Sequence, residues 1–156
     1  MSDSHEDDQT LRAIITSYDD AWNRHDLDAI LSFHTADSVF ESHNTNEVAK
    51  GHDDLRRMIA RYFRALPDLT FTIRRMYARM GLVVQEWTAQ ATHTRPIPTR
   101  LGLAAPTGRV LTWNGVDIMP MSIPGQLIVR KDAYVDSAGL QRQLEAARQP
   151  VVAACR

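Results

Sequence analysis

Residues 110–135 read VLTWNGVDIMPMSIPGQLIVRKDAYV. Two runs rich in β-branched and aromatic residues, Val110–Met121 and Leu127–Val135, flank the turn dipeptide Pro124-Gly125, the pattern of an antiparallel hairpin. A turn centred on that dipeptide sets Met121 opposite Ile128, Met119 opposite Arg130, and Asp117 opposite Asp132. Side chains directly opposite each other share a face, with Cβ atoms ~4.5–5.5 Å apart. Two carboxylates so placed repel, and in a partly desolvated site one of them keeps its proton to higher pH. One proton donor and one acceptor near neutrality is what general acid–base chemistry requires. Arg130, two residues from Asp132 on the same face, is placed to orient or partly neutralise the pair. The competing reading puts the two acids at the rim, or lets a slip of one residue send one of them to the other face.

Outward from the hairpin, Leu69–Tyr77 and Leu82–Thr94 are further extended runs, and Ser38–His43 is a shorter one. Helices precede them. Leu11, Ile14, Ile15, Tyr18 and Trp22 recur at steps of three and four, which predicts a helix from about Asp8 to Arg24. Asp26 is placed to cap a short second helix with apolar Leu27, Ile30 and Leu31. The third helix carries Leu55, Met58, Ile59, Tyr62, Phe63 and Leu66 on one side and four arginines on the other. Gly51 precedes it, Asp53 or Asp54 can cap it, and Pro67 ends it. A short helix is expected at Ala138–Ala147. The segment Arg95–Gly108, with three prolines and two glycines, reads as a long mobile loop. Helices segregated in sequence from a run of strands give an α+β fold, a curved antiparallel sheet with helices on its concave side. The expected organisation is an acidic disordered tail at 1–8, one domain at 9–148 and a flexible tail at 149–156.

The chain's 156 residues suit a single domain. Eighteen Lys+Arg against nineteen Asp+Glu leave a net charge of −1, which argues against a nucleic-acid partner, since such proteins need a basic surplus. The lone Cys155 has no partner for an internal disulfide. No apolar run approaches a membrane span, and the acidic start is unlike a secretory signal, so a cytoplasmic location is expected. No HExxH, GxGxxG, Walker or nucleophile-elbow pattern occurs, and no metal site is expected. His93 stands at a strand end beside the long loop, where a binding residue would be well placed, with a structural or solvated histidine as the competing reading. His25, His34 and His52 fall at helix boundaries and read as capping or surface residues. Periodicity leaves open which of Phe40/Ser42 and Glu41/His43 faces the helices. Met58 and Met119 suit a roomy apolar pocket, with ordinary core packing as the alternative.

Several fragments, in order, resemble SnoaL-like polyketide (ester) cyclases: Trp22-Asn23-Arg24-His25-Asp26-Leu27-Asp28-Ala29, Gly51, Leu66-Pro67-Asp68-Leu69, Thr92-His93-Thr94, Pro106-Thr107-Gly108-Arg109, Val116-Asp117-Ile118, Gly125, Tyr134-x-Asp136 and Leu140-x-x-Gln143-Leu144. The resemblance spans nearly all of the chain after the acidic tail. It implies the superfamily of nuclear transport factor two and ketosteroid isomerase: a cone-shaped α+β barrel in which three helices wrap a curved sheet around a deep pocket, usually as a dimer. By position, the family's acid–base aspartate falls on Asp132, and its assisting pocket histidine falls where this chain has Asp117. The Arg-x-Asp of limonene-epoxide-hydrolase-like relatives falls on Trp87 and Ala89. The implied activity is a cofactor-free cyclase or isomerase closing a bulky, largely apolar polyketide-type substrate by intramolecular aldol attack. Asp132 would be the base, Asp117, Arg130 and His93 would orient or stabilise, and Trp22, Phe40, Met58, Tyr62, Trp87, Trp113 and Met119 would form the walls. Epoxide opening on the same scaffold, and a non-catalytic small-molecule-binding module, are the alternatives. The expected partners are a hydrophobic small molecule and a second copy of the chain.

Overall fold

A computed structural model of the chain describes residues 3–148; the expected tail 149–156, with Cys155, lies outside them. The elements run α1 (Asp3–Asn23), α2 (Leu27–Ser32), β1 (His34–Ser42), β2 (Glu47–Lys50), α3 (Gly51–Ala65), β3 (Thr70–Arg79), β4 (Leu82–Thr92), β5 (Ile97–Thr99), β6 (Gly102–Ala104), β7 (Val110–Pro120), β8 (Ile128–Val135) and α4 (Ser137–Arg148). Six strands form one curved α+β sheet in the order β2-β1-β8-β7-β4-β3. It is mixed, because β1 and β8 run parallel while its other pairs are antiparallel. Its edge strands β2 and β3 do not pair with each other, so the sheet stays open where a closed barrel was expected.

The helix stripes decide which face is covered. Leu11, Ile15, Tyr18 and Trp22 of α1 are buried, as are Leu55, Met58 and Ile59 of α3, and they join one hydrophobic core with Phe40, Val83 and Met119. α1 lies against β3 and α3 against β1. The end of α1 is fixed by Asn23, whose side-chain amide donates to the Phe71 carbonyl at 3.0 Å and whose carbonyl accepts from the Phe71 N–H at 2.7 Å. Asp26 caps α2 by accepting from the Ala29 N–H at 3.0 Å, as expected from the sequence. α1 itself begins at Asp3, so it takes in the acidic segment ahead of the periodic stretch. The segment expected as a loop holds the two-stranded β5–β6 hairpin.

The β7–β8 register corrects the expected facing carboxylates. Met121 does bridge Ile128, but farther along Ile118 pairs with Asp132, Asp117 with Ala133, Val116 with Tyr134 and Gly115 with Val135. Between those points Met119 and Pro120 oppose three residues, Val129, Arg130 and Lys131. One extra residue in β8 is a bulge, and beyond it every β8 side chain changes face. Pro120, which has no N–H to give a ladder, stands at the bulge, where strand prolines are tolerated. The outcome is that Lys131 and Ala133 turn inward with Asp117, while Arg130 and Asp132 turn outward.

Candidate active site

The inner face of the sheet and the helices enclose a cavity of about 130 Å³. Trp22 comes from α1, Phe40 from β1, Tyr62 from α3, Trp87 from β4 and Trp113 from β7, and the β5–β6 hairpin adds Ile97 and Pro98. The aromatic walls are held edge-on: Trp22 meets Phe40 at 6.4 Å and Phe71 at 5.7 Å, and Phe71 meets Trp87 at 5.3 Å between ring centres. Trp87 can lie flat on the sheet because its cross-strand partner is Gly115. A Cβ at that position would sit 2.2 Å from the indole.

Amid this apolar lining stands an ion pair. Lys131 Nζ lies 2.9 Å from Asp117 Oδ2, and the two side chains are 7% and 4% exposed. The ammonium sits 4.7 Å from the Trp22 ring centre and 5.1 Å from those of Tyr18 and Phe40, a cation–π cage. Burial is the largest single influence and works against the charged amine, but the surrounding groups, Asp117 first among them, together outweigh it and raise the Lys131 pKa. Lys131 Nζ also donates to the Tyr18 hydroxyl at 3.4 Å. That hydroxyl lies 3.2 Å from His34 Nε2, whose Nδ1 is 2.9 Å from Ser38 Oγ. Desolvation lowers the His34 pKa to about 3, with Lys131 adding to the effect, so the imidazole is neutral at ordinary pH. On the other side of the pair, Asp19 of α1 accepts from Gln85 Nε2 at 3.0 Å.

Of the residues expected at the site, the cavity brings together Asp117, Trp22, Phe40, Tyr62, Trp87 and Trp113. Met58 and Met119 are fully buried in the core and do not line it. His93 is buried beneath the hairpin: its N–H donates to the Arg109 carbonyl at 2.9 Å, its carbonyl accepts from Gly108 at 2.9 Å, and Nδ1 lies 3.2 Å from Thr107 Oγ1. It anchors the loop and does not face the cavity. Asp132 and Arg130 lie on the outer face of the sheet, where Arg130 Nε donates to Asp132 Oδ2 and Nη2 to Oδ1, both at 2.7 Å. Arg130 also bonds Glu41, and His43 Nε2 lies 2.8 Å from Asp132 Oδ1. The His43 ring stacks on Tyr134 at 4.1 Å. The Arg130 hydrogen bonds hold the Asp132 carboxyl below the usual range. Glu41, His43 and Asp132 bring ligand-type atoms within 4.8 Å of one another, but the guanidinium already occupies both carboxylates. The face of β1 left open by periodicity is thus settled, with Phe40 and Ser42 inward and Glu41 and His43 outward.

A sequence profile described as SnoaL-like polyketide cyclase matches residues 12–144. The chain belongs to that family. Solved structures agree in fold. AclR of Streptomyces galilaeus, a candidate hydroxylase, is 22% identical over 92% of this chain and 88% of its own, with a TM-score of 0.74. A candidate SnoaL-like polyketide cyclase from Jannaschia sp. CCS1 is 15% identical over 92% and 95%, with a TM-score of 0.76. A Catenulispora acidiphila protein with a ketosteroid isomerase-like fold, in complex with trimethylamine, is 16% identical over 88% and 97%, with a TM-score of 0.70. No curated protein sequence matches the chain.

Within this SnoaL-like scaffold, sequence reasoning missed Lys131 and Asp19. Lys131 did leave a signal: the chain has sixteen arginines and only two lysines, and one of the lysines sits mid-strand among Ile, Val and Ala. Arginine fills the surface here, so a lysine in the middle of a strand marks a place suited to a compact ammonium. Asp19 did leave a signal too: it lies four residues after Ile15 and three before Trp22, a spacing that puts it on the buried stripe and sets it apart from the exposed Asp20.

Proposed function

We propose that the protein is a cyclase or isomerase that runs on the acid–base chemistry of its own side chains and closes a ring in a bulky, polyketide-type molecule by intramolecular aldol addition. The observation that carries this reading is the Asp117–Lys131 pair at the end of an aromatic cavity. A buried ion pair is a poor device for stability alone, since desolvation offsets its attraction. In a water-poor cavity the same pair sets a proton acceptor beside a fixed positive charge. Asp117 takes the proton from a carbon flanked by two carbonyls. The Lys131 ammonium stabilises the enolate oxygen, the enolate carbon attacks a second carbonyl of the same molecule, and the protonated Asp117 returns its proton to the new alkoxide. The aromatic surfaces fold the substrate so that its two reacting carbons meet. Asp132, turned away from the cavity and saturated by Arg130, is assigned to structure in this scheme.

The test uses a fused-ring aromatic β-keto ester bearing a side-chain ketone, in deuterated water. The wild type is expected to accelerate both exchange of the acidic C–H and ring closure, and Asp117→Asn to abolish both. Exchange and closure at wild-type rates in that variant would refute the assignment. The half-buried outer face of the sheet, with Val116, Ile118 and the 45% exposed Tyr134, supports pairing with a second copy, as the family resemblance implies. A solution mass twice 17.6 kDa would agree. No helix of the described residues is long and apolar enough to cross a membrane, and work in the cytoplasm is part of the same proposal.

A further inference from the structure

Behind the main cavity, between α1 and the sheet, lies a second space of about 10 Å³. That is about the room one water molecule needs. Its polar walls are Asp19, Trp22, Gln85, Trp87, Asp117 and Lys131; Phe71 and Ile73 close the rest. Seven buried side-chain atoms of the described residues lack a hydrogen-bond partner, and five of them belong to these walls: Asp19 Oδ2, Trp22 Nε1, Gln85 Oε1, Trp87 Nε1 and Asp117 Oδ1. Buried polar atoms are nearly always bonded, and such a gathering around one small space is unlike chance packing. The charges are also unequal. Asp19 and Asp117 bring two carboxyls to a single ammonium, and Gln85 is neutral.

We propose that this space binds one water molecule, and that through it Asp19 and Asp117 share one proton, with Asp19 as the positioning acid behind the reacting pair. The water accepts from a protonated Asp19 or an indole N–H and donates to Asp117 Oδ1 or Gln85 Oε1. Its catalytic consequence rests on the aldol reading above; the water site does not.

The surroundings agree. Burial is the largest influence on Asp19 and raises its pKa to about 7, against the Gln85 hydrogen bond and the attraction of Lys131. The charged groups bearing on it are Lys131 from β8, Asp117 from β7 and Asp20 on its own helix. While Asp19 is neutral, the Lys131 charge is free to balance Asp117 and then the enolate. Once Asp19 ionises, the cluster carries a net negative charge and disfavours a second anion beside it. Turnover should therefore fall about tenfold between about pH 6 and pH 8 in the wild type, and the ratio of the two rates should be near one in Asp19→Asn, whatever its absolute rate. An Asp19 that only packs would scale both rates and leave their ratio unchanged.

Two measurements do not depend on the reaction. Infrared spectra of the apo protein should show the carbonyl stretch of a protonated carboxylic acid at about pH 6 that fades by about pH 8, and Asp19→Asn should lack it. A crystal structure at near-atomic resolution should show one water within hydrogen-bond distance of Asp19 and Asp117. Absence of the band, absence of the water, or an unchanged rate ratio in Asp19→Asn would overturn the proposal. Full turnover in Asp117→Asn would sink the aldol reading alone, and the infrared band and the crystallographic water would still decide this one.

Discussion

Lys131 is buried against three aromatic rings and one carboxylate at the end of the cavity, and its removal separates two effects. Lys131→Met should destabilise the protein by about 3–5 kcal/mol in urea unfolding, because Asp117 is left buried and unpaired. Adding Asp117→Leu should restore much of that stability while leaving no activity; a double variant as unstable as the single one would show that the cost lies in packing. Two other buried groups set the pH dependence. His34 is neutral when folded and binds a proton only below about pH 3, whereas in the unfolded chain it protonates near its ordinary value of 6.5. Its contribution to stability is lost as pH falls through that interval. Asp19 acts in the opposite sense, since its folded pKa of about 7 stands above the ordinary value of 3.8. Its contribution is present at low pH and lost as pH rises towards 7. Each is on the order of 4 kcal/mol, and they oppose one another between about pH 4 and 6.5. Asp19→Asn should therefore expose a stability that climbs with pH across that window, measured by urea unfolding; a profile with the wild-type shape would contradict the burial argument.

The bulge between β7 and β8 is the feature of single elements that decides the chemistry. The helices and most strands were legible in the sequence, because each depends on local pattern: Asp26 caps α2, the Leu55–Met58–Ile59 stripe buries α3, and the extended run from Leu82 forms β4, whereas the N-cap of α3 is Lys50 and not Asp53 or Asp54. The bulge was not legible from alternation, since period two predicts faces only while the register is continuous. Pro120 was the clue available, a residue without an N–H inside an otherwise good strand. The parallel pairing of β1 with β8 and the short β2 were also out of reach, since the choice of a strand's neighbour is not written in its own residues. In the site this meant that the expected aromatic residues and Asp117 do line the cavity, while Asp132, expected inside, lies outside and Lys131 takes the inner face. Gly115 belongs to the same scale. Gly115→Ala should destabilise by roughly 1–3 kcal/mol, and it should shift the tryptophan fluorescence by driving Trp87 off the sheet. Unchanged emission and stability would mean that the indole rests elsewhere.

At the scale of the whole molecule, the curved sheet is a partition between two polar clusters. Inside, Asp117 and Lys131 stand at the end of an apolar cavity, with Asp19 in the small space behind them. Outside, Glu41, His43, Arg130 and Asp132 satisfy one another on a face only partly hidden from solvent. Helices α1 and α3 close the inner side, so the desolvation that makes a carboxylate a useful base exists there and is much weaker on the outer face. The two aspartates that resemblance and hairpin arithmetic brought together are thus set to different tasks by one inserted residue. The direct measurement is kcat on the aromatic β-keto ester for Asp117→Asn beside Asp132→Asn, with the fold of each checked by circular dichroism. The account predicts a fall of about 100-fold or more for Asp117→Asn and a rate within about threefold of wild type for Asp132→Asn. A loss confined to Asp132→Asn would contradict it.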